Sequence, residues 1–214
     1  NFGMVLGAMG GQIGLIFAMD WSLGGIYGLV FATGIGLPLS ILLGIVAGSV
    51  LNRARGREMV TSYILGFFFN GIYQFFVLYV LGSLIPMHNK AIMLSRGYGV
   101  RNTLELAPVR QMLDTAIPLS IAGFRLPVLS YLIIIALCFF IVWFRKTKLG
   151  QDMRAIGQNQ TVAMASGIAV ERTRIISIVI STVLACIGQI IFLQNMGNMS
   201  TYNAHDQTGF FAAA

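Results

Sequence analysis

Long apolar stretches alternate along the chain with short polar punctuation, and none of them shows the period-two alternation of a barrel strand. Five stretches reach or exceed the roughly 17 to 25 residues that a helix needs to cross a hydrocarbon core of about 30 Å. They run from Gly3 to Met19, Leu23 to Leu51, Met59 to Ile85, Val128 to Phe144 and Ile175 to Met196. The pattern predicts an all-α, polytopic transmembrane bundle, because a helix satisfies its backbone polar groups within itself. Within the second stretch, Pro38 sits in "GIGLPLS" after Gly34 and Gly36. A proline removes one backbone hydrogen bond and crowds the turn before it, so a kink or break is expected there. Gly3, Gly7, Gly10, Gly14, Gly24, Gly28, Gly44 and Gly48 recur at short helical spacings, which predicts close backbone approach in a compact bundle.

Composition supports a membrane setting. Of 214 residues, 57% are hydrophobic and 10% charged, against about 25% charged in soluble domains. The net charge of +7 does not indicate a nucleic-acid partner, because the basic residues lie in the connections between apolar runs. They are densest in "NRARGRE" (Asn52 to Glu58) and in the segment 145–174, which holds Arg145, Lys146, Lys148, Arg154, Arg172 and Arg174. The connection from Pro86 to Pro127 spreads Lys90, Arg96, Arg101, Arg110 and Arg125 over many more residues. The positive-inside rule therefore puts the two dense connections in the cytoplasm, and "DWSLGG" and "GNMSTYNAHDQTG" outside. Cys138 and Cys186 fall in apolar runs, where packing rather than a disulfide is expected. The sequence opens on Asn1 and closes on "GFFAAA" within an apolar stretch, so residues 1–214 are read as one transmembrane domain of a longer chain, incomplete at both ends.

The segment 145–174 has a local code of its own. Gly157 is expected to end a first helix, and Asn159 is a good N-cap for a second, Gln160 to Ser166, which Gly167 stops. A short apolar helix on the cytosolic surface calls for a partner. "TKLGQDMRAIGQNQTVAMASGIAVERTR" resembles the cytoplasmic loop of permeases of ATP-binding cassette importers, in the branch for branched-chain amino acids, simple sugars and nucleosides. The family pattern is approximately T-x-x-G-x-x-x-R-A-x-G-x-N-x-x-A-A-x-x-x-G-I. Thr147, Gly150, Arg154, Ala155, Gly157, Asn159, Ala163, Gly167 and Ile168 match it in order. Gln160 stands where the family commonly has proline, and Met164 where a second alanine is usual. "NFGMVLGAMGGQIG" and "GREMVTSYILGFFFNGIY" resemble the early spans of the nucleoside and sugar subgroup more weakly.

The resemblance implies an inner-membrane permease whose loop residues Gly150, Arg154, Ala155, Gly157, Asn159, Ala163 and Gly167 couple it to a cytosolic ATPase subunit. It also implies a second permease subunit, identical or related, and an extracytoplasmic solute-binding protein. Nucleotide chemistry would reside in the ATPase, since the chain has no G-x-x-x-x-G-K-[ST]. No cofactor, metal site or catalytic residue is expected.

None of the five runs carries an ionisable residue well inside it, and His88 and His205 fall in outside connections as solvated or packed histidines. Uncharged polar residues do occur at depth. Asn70 and Gln74 lie one turn apart on one face, and Gln189, Gln194 and Asn195 mark the last run. These residues either line a path for a neutral polar solute or bind helices together. The expected solute is a simple sugar or nucleoside, with a branched-chain amino acid as a further option. The alternative function is a self-contained secondary transporter or channel, which would need ion-coupling groups near the midplane.

Overall fold

The computed structural model describes residues 3–54, 56–115, 118–121 and 124–206, with the backbone alone at 118–121 and 124–126. Arg55, the side chain of Arg125 and the closing GFFAAA lie outside the described residues. The chain begins with α1 (Met4–Asp20), α2 (Gly25–Arg53) and α3 (Glu58–Phe75), the last extended by a π-helical turn, Phe76–Val80. A long connection follows with β1 (Thr103–Glu105), α4 (Met112–Thr115), β2 (Pro118–Ile121) and β3 (Phe124–Pro127). Then come α5 (Val128–Lys146), α6 (Lys148–Gln158), α7 (Gln160–Ala165), α8 (Val170–Met196) and β4 (Asn198–Ser200).

Among the described residues, four helices are long and apolar enough to cross a membrane: α2 with 29 residues, α3 and its π turn with 23, α5 with 19 and α8 with 27. The remaining expected span, α1, has 17 residues and is wedged between α2 and α8. Glycine makes that wedge possible. A Cβ at Gly7 would overlap the carbonyl oxygen of Thr182 on α8, and one at Gly14 would overlap that of Ala32 on α2. Small polar side chains cross-link the same three helices: Ser40 Oγ donates to the Gly7 carbonyl at 3.1 Å, and Thr182 Oγ1 donates to that of Ser40 at 3.1 Å. By contrast, α5 has no buried residue.

Of the kink or break expected at Pro38, the break does not occur: α2 is helical throughout from Gly25 to Arg53, and the Ser40 contacts hold it just beyond the proline. One expectation needs correction. The third span ends at Val80 rather than Ile85. Beyond it, Leu81–Ile85 forms a tight turn in which the Gly82 amide, at φ +88°, donates to the Ile85 carbonyl at 2.8 Å.

The bundle thus has a basic end, where α5 and α8 meet α6 and α7, and an opposite end covered by the described residues of the connection after α3, 81–115 among them. At that capped end β1 pairs antiparallel with β4, placing Leu104 opposite Met199, and β2 and β3 form a hairpin.

Candidate functional site

At the basic end, α6 and α7 form an elbow fixed by its caps. Thr147 Oγ1 accepts from the Gly150 amide at 3.3 Å and donates to the Phe144 carbonyl at 2.6 Å. Gly150 is required by contact, since a Cβ there would overlap the Phe144 carbonyl oxygen. Gly157 does not end the first helix, contrary to expectation: α6 continues to Gln158, and the chain turns at Asn159, whose backbone is extended (φ −156°, ψ 108°). The Asn159 side chain accepts from the amides of Thr161 at 3.0 Å and Val162 at 3.2 Å, capping α7. Gly167, at φ +80°, closes the helix as a Schellman turn, with its amide on the Met164 carbonyl at 3.0 Å and that of Ile168 on the Ala163 carbonyl at 3.1 Å.

The elbow's side chains divide by face. Ala163 is buried within the chain, whereas Val162 and Met164 are 59% and 50% exposed. Arg154 is exposed and Ala155 half-buried. The outward apolar surface of α7 therefore belongs to Val162 and Met164, which the loop pattern had not singled out. Next to the elbow, the first turns of α8 tie to the neighbouring helices. Arg174 pairs with Glu58 of α3 at 3.0 Å, and Asn52 of α2 donates to the Glu171 carbonyl at 2.9 Å.

A second polar assembly lies deep in the bundle. After α8 the chain turns back at Gly197 (φ +72°), and residues 198–206 enter between α1, α3 and α8. Three helix-borne donors meet three carbonyl oxygens of this segment. Gln12 Nε2 donates to Ser200 at 3.0 Å, Tyr73 Oη to Thr201 at 2.7 Å, and Gln189 Nε2 to Ala204 at 3.2 Å. At 1.5 Å per residue, these donors sit about 10 to 12 Å below the capped ends of their helices. Irregular backbone at such depth is tolerated where it is enclosed by protein.

His205 completes the assembly and is wholly buried. Its Nδ1 lies 2.8 Å from Gln12 Oε1 and its Nε2 3.2 Å from Asn70 Oδ1, while Tyr73 packs edge-on to the ring at 4.9 Å. Gln74 Nε2 donates to Asn70 Oδ1 at 3.3 Å, so Asn70, Gln74 and Gln189 do gather in one assembly. The other two expected path residues lie elsewhere. Gln194 is buried against the cap, its Oε1 accepting from the Leu113 amide at 3.5 Å, and Asn195 is exposed. His205 also revises the charge inventory: an ionisable side chain does reach membrane depth, carried in by a segment outside the spans. His88, by contrast, stays at the capped end with its side chain 71% exposed, beside the Asp20 carboxylate.

Sequence reasoning missed Gln12, Tyr73 and His205. A glutamine in the middle of the glycine-rich α1 was the one available signal, since a buried amide needs partners.

The whole chain, residues 1–214, matches the family described as "Branched-chain amino acid transport system / permease component". The autoinducer 2 import system permease protein LsrD of Escherichia coli (strain K12) is 26% identical over 146 residues, 68% of this chain and 41% of that protein. The nucleoside ABC transporter permease protein NupB of Lactococcus lactis subsp. cremoris (strain MG1363) is 27% identical over 199 residues, covering 83% of this chain and 49% of NupB. The chain thus spans less than half the length of these curated relatives. No solved structure matches it. A match along its whole length, on a bundle with four membrane-crossing helices, makes this chain a member of the branched-chain amino acid transport system permease family and a multi-pass protein of the inner membrane.

Proposed function

We propose that the chain forms part of the solute pathway of an ATP-binding cassette importer, delivering a neutral polar solute of the simple sugar or nucleoside class. The family match over 1–214 carries this reading. Two relatives named for autoinducer 2 and nucleoside import support a neutral polar cargo. In this reading α7 docks on a cytosolic ATPase through Val162 and Met164, while Asn159 and Gly167 set its length and exit. Gly150 seats α6 against α5, and Arg154, Ala155 and Gly157 lie along α6. Asn70, Gln74 and Gln189 face the pathway; Gln194 and Asn195 belong to its capped rim. A second permease subunit and an extracytoplasmic binding protein complete the assembly. ATP is hydrolysed in the partner, and this subunit responds to it mechanically. The secondary-transporter alternative gains His205 as a group at depth, but family membership weighs against it.

Orientation and coupling are tested together in the full-length permease lacking Cys138 and Cys186. Single cysteines at Gly56 and Gln158 should react with an impermeant maleimide only after cells are opened, and one at Asn102 in intact spheroplasts. A cytosolic ATPase subunit of the cassette type should co-purify with it from its native membrane. Labelling of Gln158 from outside would reverse the assignment of α7 to the cytosol and remove the docking role.

A further inference from the structure

The three donors at depth are arranged unlike ordinary helix-to-helix contacts. Gln12, Tyr73 and Gln189 come from three different helices and stand at similar depth. Each instead points at a peptide carbonyl within a stretch of five residues, Ser200 to Ala204. Buried donors must be satisfied, and in this conformation the segment's oxygens do that.

The segment is fastened to the cap rather than to α8 alone. Beyond the β1–β4 pairing, the Thr201 amide donates to the Asn102 carbonyl at 2.6 Å, Thr201 Oγ1 to that of Arg101 at 2.7 Å, and Tyr202 Oη to that of Val100 at 2.9 Å. Residues 100–105 and 198–202 are thus bonded as one unit. A movement of the cap would carry the segment's carbonyls with it, away from the helix-borne donors.

We propose that Gln12, Tyr73 and Gln189 form a solute site for an uncharged ring bearing several oxygen acceptors, with residues 200–204 occupying it as a lid in the closed state. This rests on the importer reading above. The chemistry follows from the donors: two amide N–H groups and a phenol select hydroxyl and carbonyl oxygens, and a buried site without a fixed cation does not select anions. Gln12 Oε1, which faces His205 in the closed state, becomes available to accept from a hydroxyl hydrogen of the solute when the histidine leaves with the lid, and Asn70 Oδ1, which keeps its bond from Gln74, regains one accepting position. Carbonyls of the lid act as stand-ins for the solute's oxygens, so opening without solute leaves buried donors unpaired and is disfavoured.

The test uses the full-length permease with its ATPase and binding protein in nanodiscs, and the same complex in proteoliposomes, with uridine and ribose as probes. In a background lacking Cys138 and Cys186, Ala204→Cys, buried in the closed state, should resist an impermeant maleimide at rest. It should react at least 10-fold faster during turnover with ATP and binding protein. Tyr73→Phe should lower uptake of the transported probe at least 5-fold more than it lowers ATP hydrolysis stimulated by binding protein, so that ATP consumed per solute rises. Gln189→Leu should act in the same direction. A purely structural role predicts a lower melting temperature with an unchanged ratio of ATP to solute, and that result overturns the proposal. Continued protection of Ala204→Cys throughout wild-type turnover overturns the lid. If the wild-type permease retains no ATPase, or takes up neither probe with one bound, the importer reading or its solute class fails instead.

Discussion

The elbow at the basic end and the inserted segment at the capped end are both short, polar interruptions of an apolar chain, yet they are built from opposite materials. The elbow's hydrogen bonds run between near neighbours: Asn159 to Thr161 and Val162, and Ile168 to Ala163. The inserted segment is held by partners far away in sequence, with Gln12 and His205 separated by 193 positions. A device made of local bonds keeps its shape while neighbouring helices move, which suits a part that docks on another protein. A device made of long-range bonds changes whenever its helices or cap move, which suits a part that responds to the bundle. The comparison can be broken at either end.

The largest effect is expected on the outer face of the elbow. Val162→Arg combined with Met164→Arg places two charges on the exposed surface of α7 and touches neither Asn159 nor Gly167. Burying unpaired charges in an interface is strongly unfavourable, so ATPase co-purification should fall more than 10-fold, with the permease's own melting temperature nearly unchanged. Retained association would show that α7 is not the docking surface.

At the other end, His205→Leu removes the ring that bridges Gln12 and Asn70. The wholly buried Gln12 Oε1 then loses its ring partner, at about 1 to 3 kcal/mol if left unsatisfied, while Asn70 Oδ1 keeps the bond from Gln74. The melting temperature of the purified permease should drop clearly. Adding Gln12→Leu should cost less in that background than in wild type, since the two side chains share one bond. Simple additivity would mean that the contact contributes nothing.

The contrast also explains what could be read before the fold was known. The caps at Asn159 and Gly167, the helical spans and the small-residue packing of α1 follow from local chemistry and periodicity, and each was legible. Gly157 misled because glycine allows a stop without compelling one; extended backbone at Asn159 does the work. Pro38 marks a weakened turn, but packing around Ser40 keeps the helix from breaking there. His205 was read as a residue of an outside connection because nothing near it in sequence marks its return into the bundle. Its partners lie on α1 and α3, and only the tertiary fold brings them together. Likewise, Gln194 and Asn195 shared a polar label with Gln189, but helical rotation and position send one to the cap and the other outward.

Asn159→Ala should produce a smaller, strictly local change. Losing an N-cap costs about 0.5 to 2 kcal/mol, and here it removes the bonds to Thr161 and Val162 from a six-residue helix. Amide exchange should speed up in 160–166 while α8 and the inserted segment keep wild-type protection. Faster exchange spreading to 198–206 would mean that the two devices are mechanically joined, and that the local character of the elbow has been overstated.

The smallest effect separates two residues that the sequence treats as a pair. Asn70 and Gln74 sit one turn apart and share a 3.3 Å hydrogen bond, but only Asn70 also faces His205. Gln74→Leu deletes a polar group whose bond to Asn70 stays within α3, so its stability cost should be no more than the roughly 0.6 kcal/mol typical of polar contacts in membrane proteins. Asn70→Leu deletes the link to the inserted segment and should cost more. If both residues serve only as structural contacts, uptake per assembled complex will follow melting temperature for both variants. If Gln74 contacts solute, Gln74→Leu will lose uptake out of proportion to its small stability change. Comparing uptake per complex with melting temperature for the two variants decides the point, and equal losses of stability in both would remove the distinction between a residue within α3 and one that reaches the inserted segment.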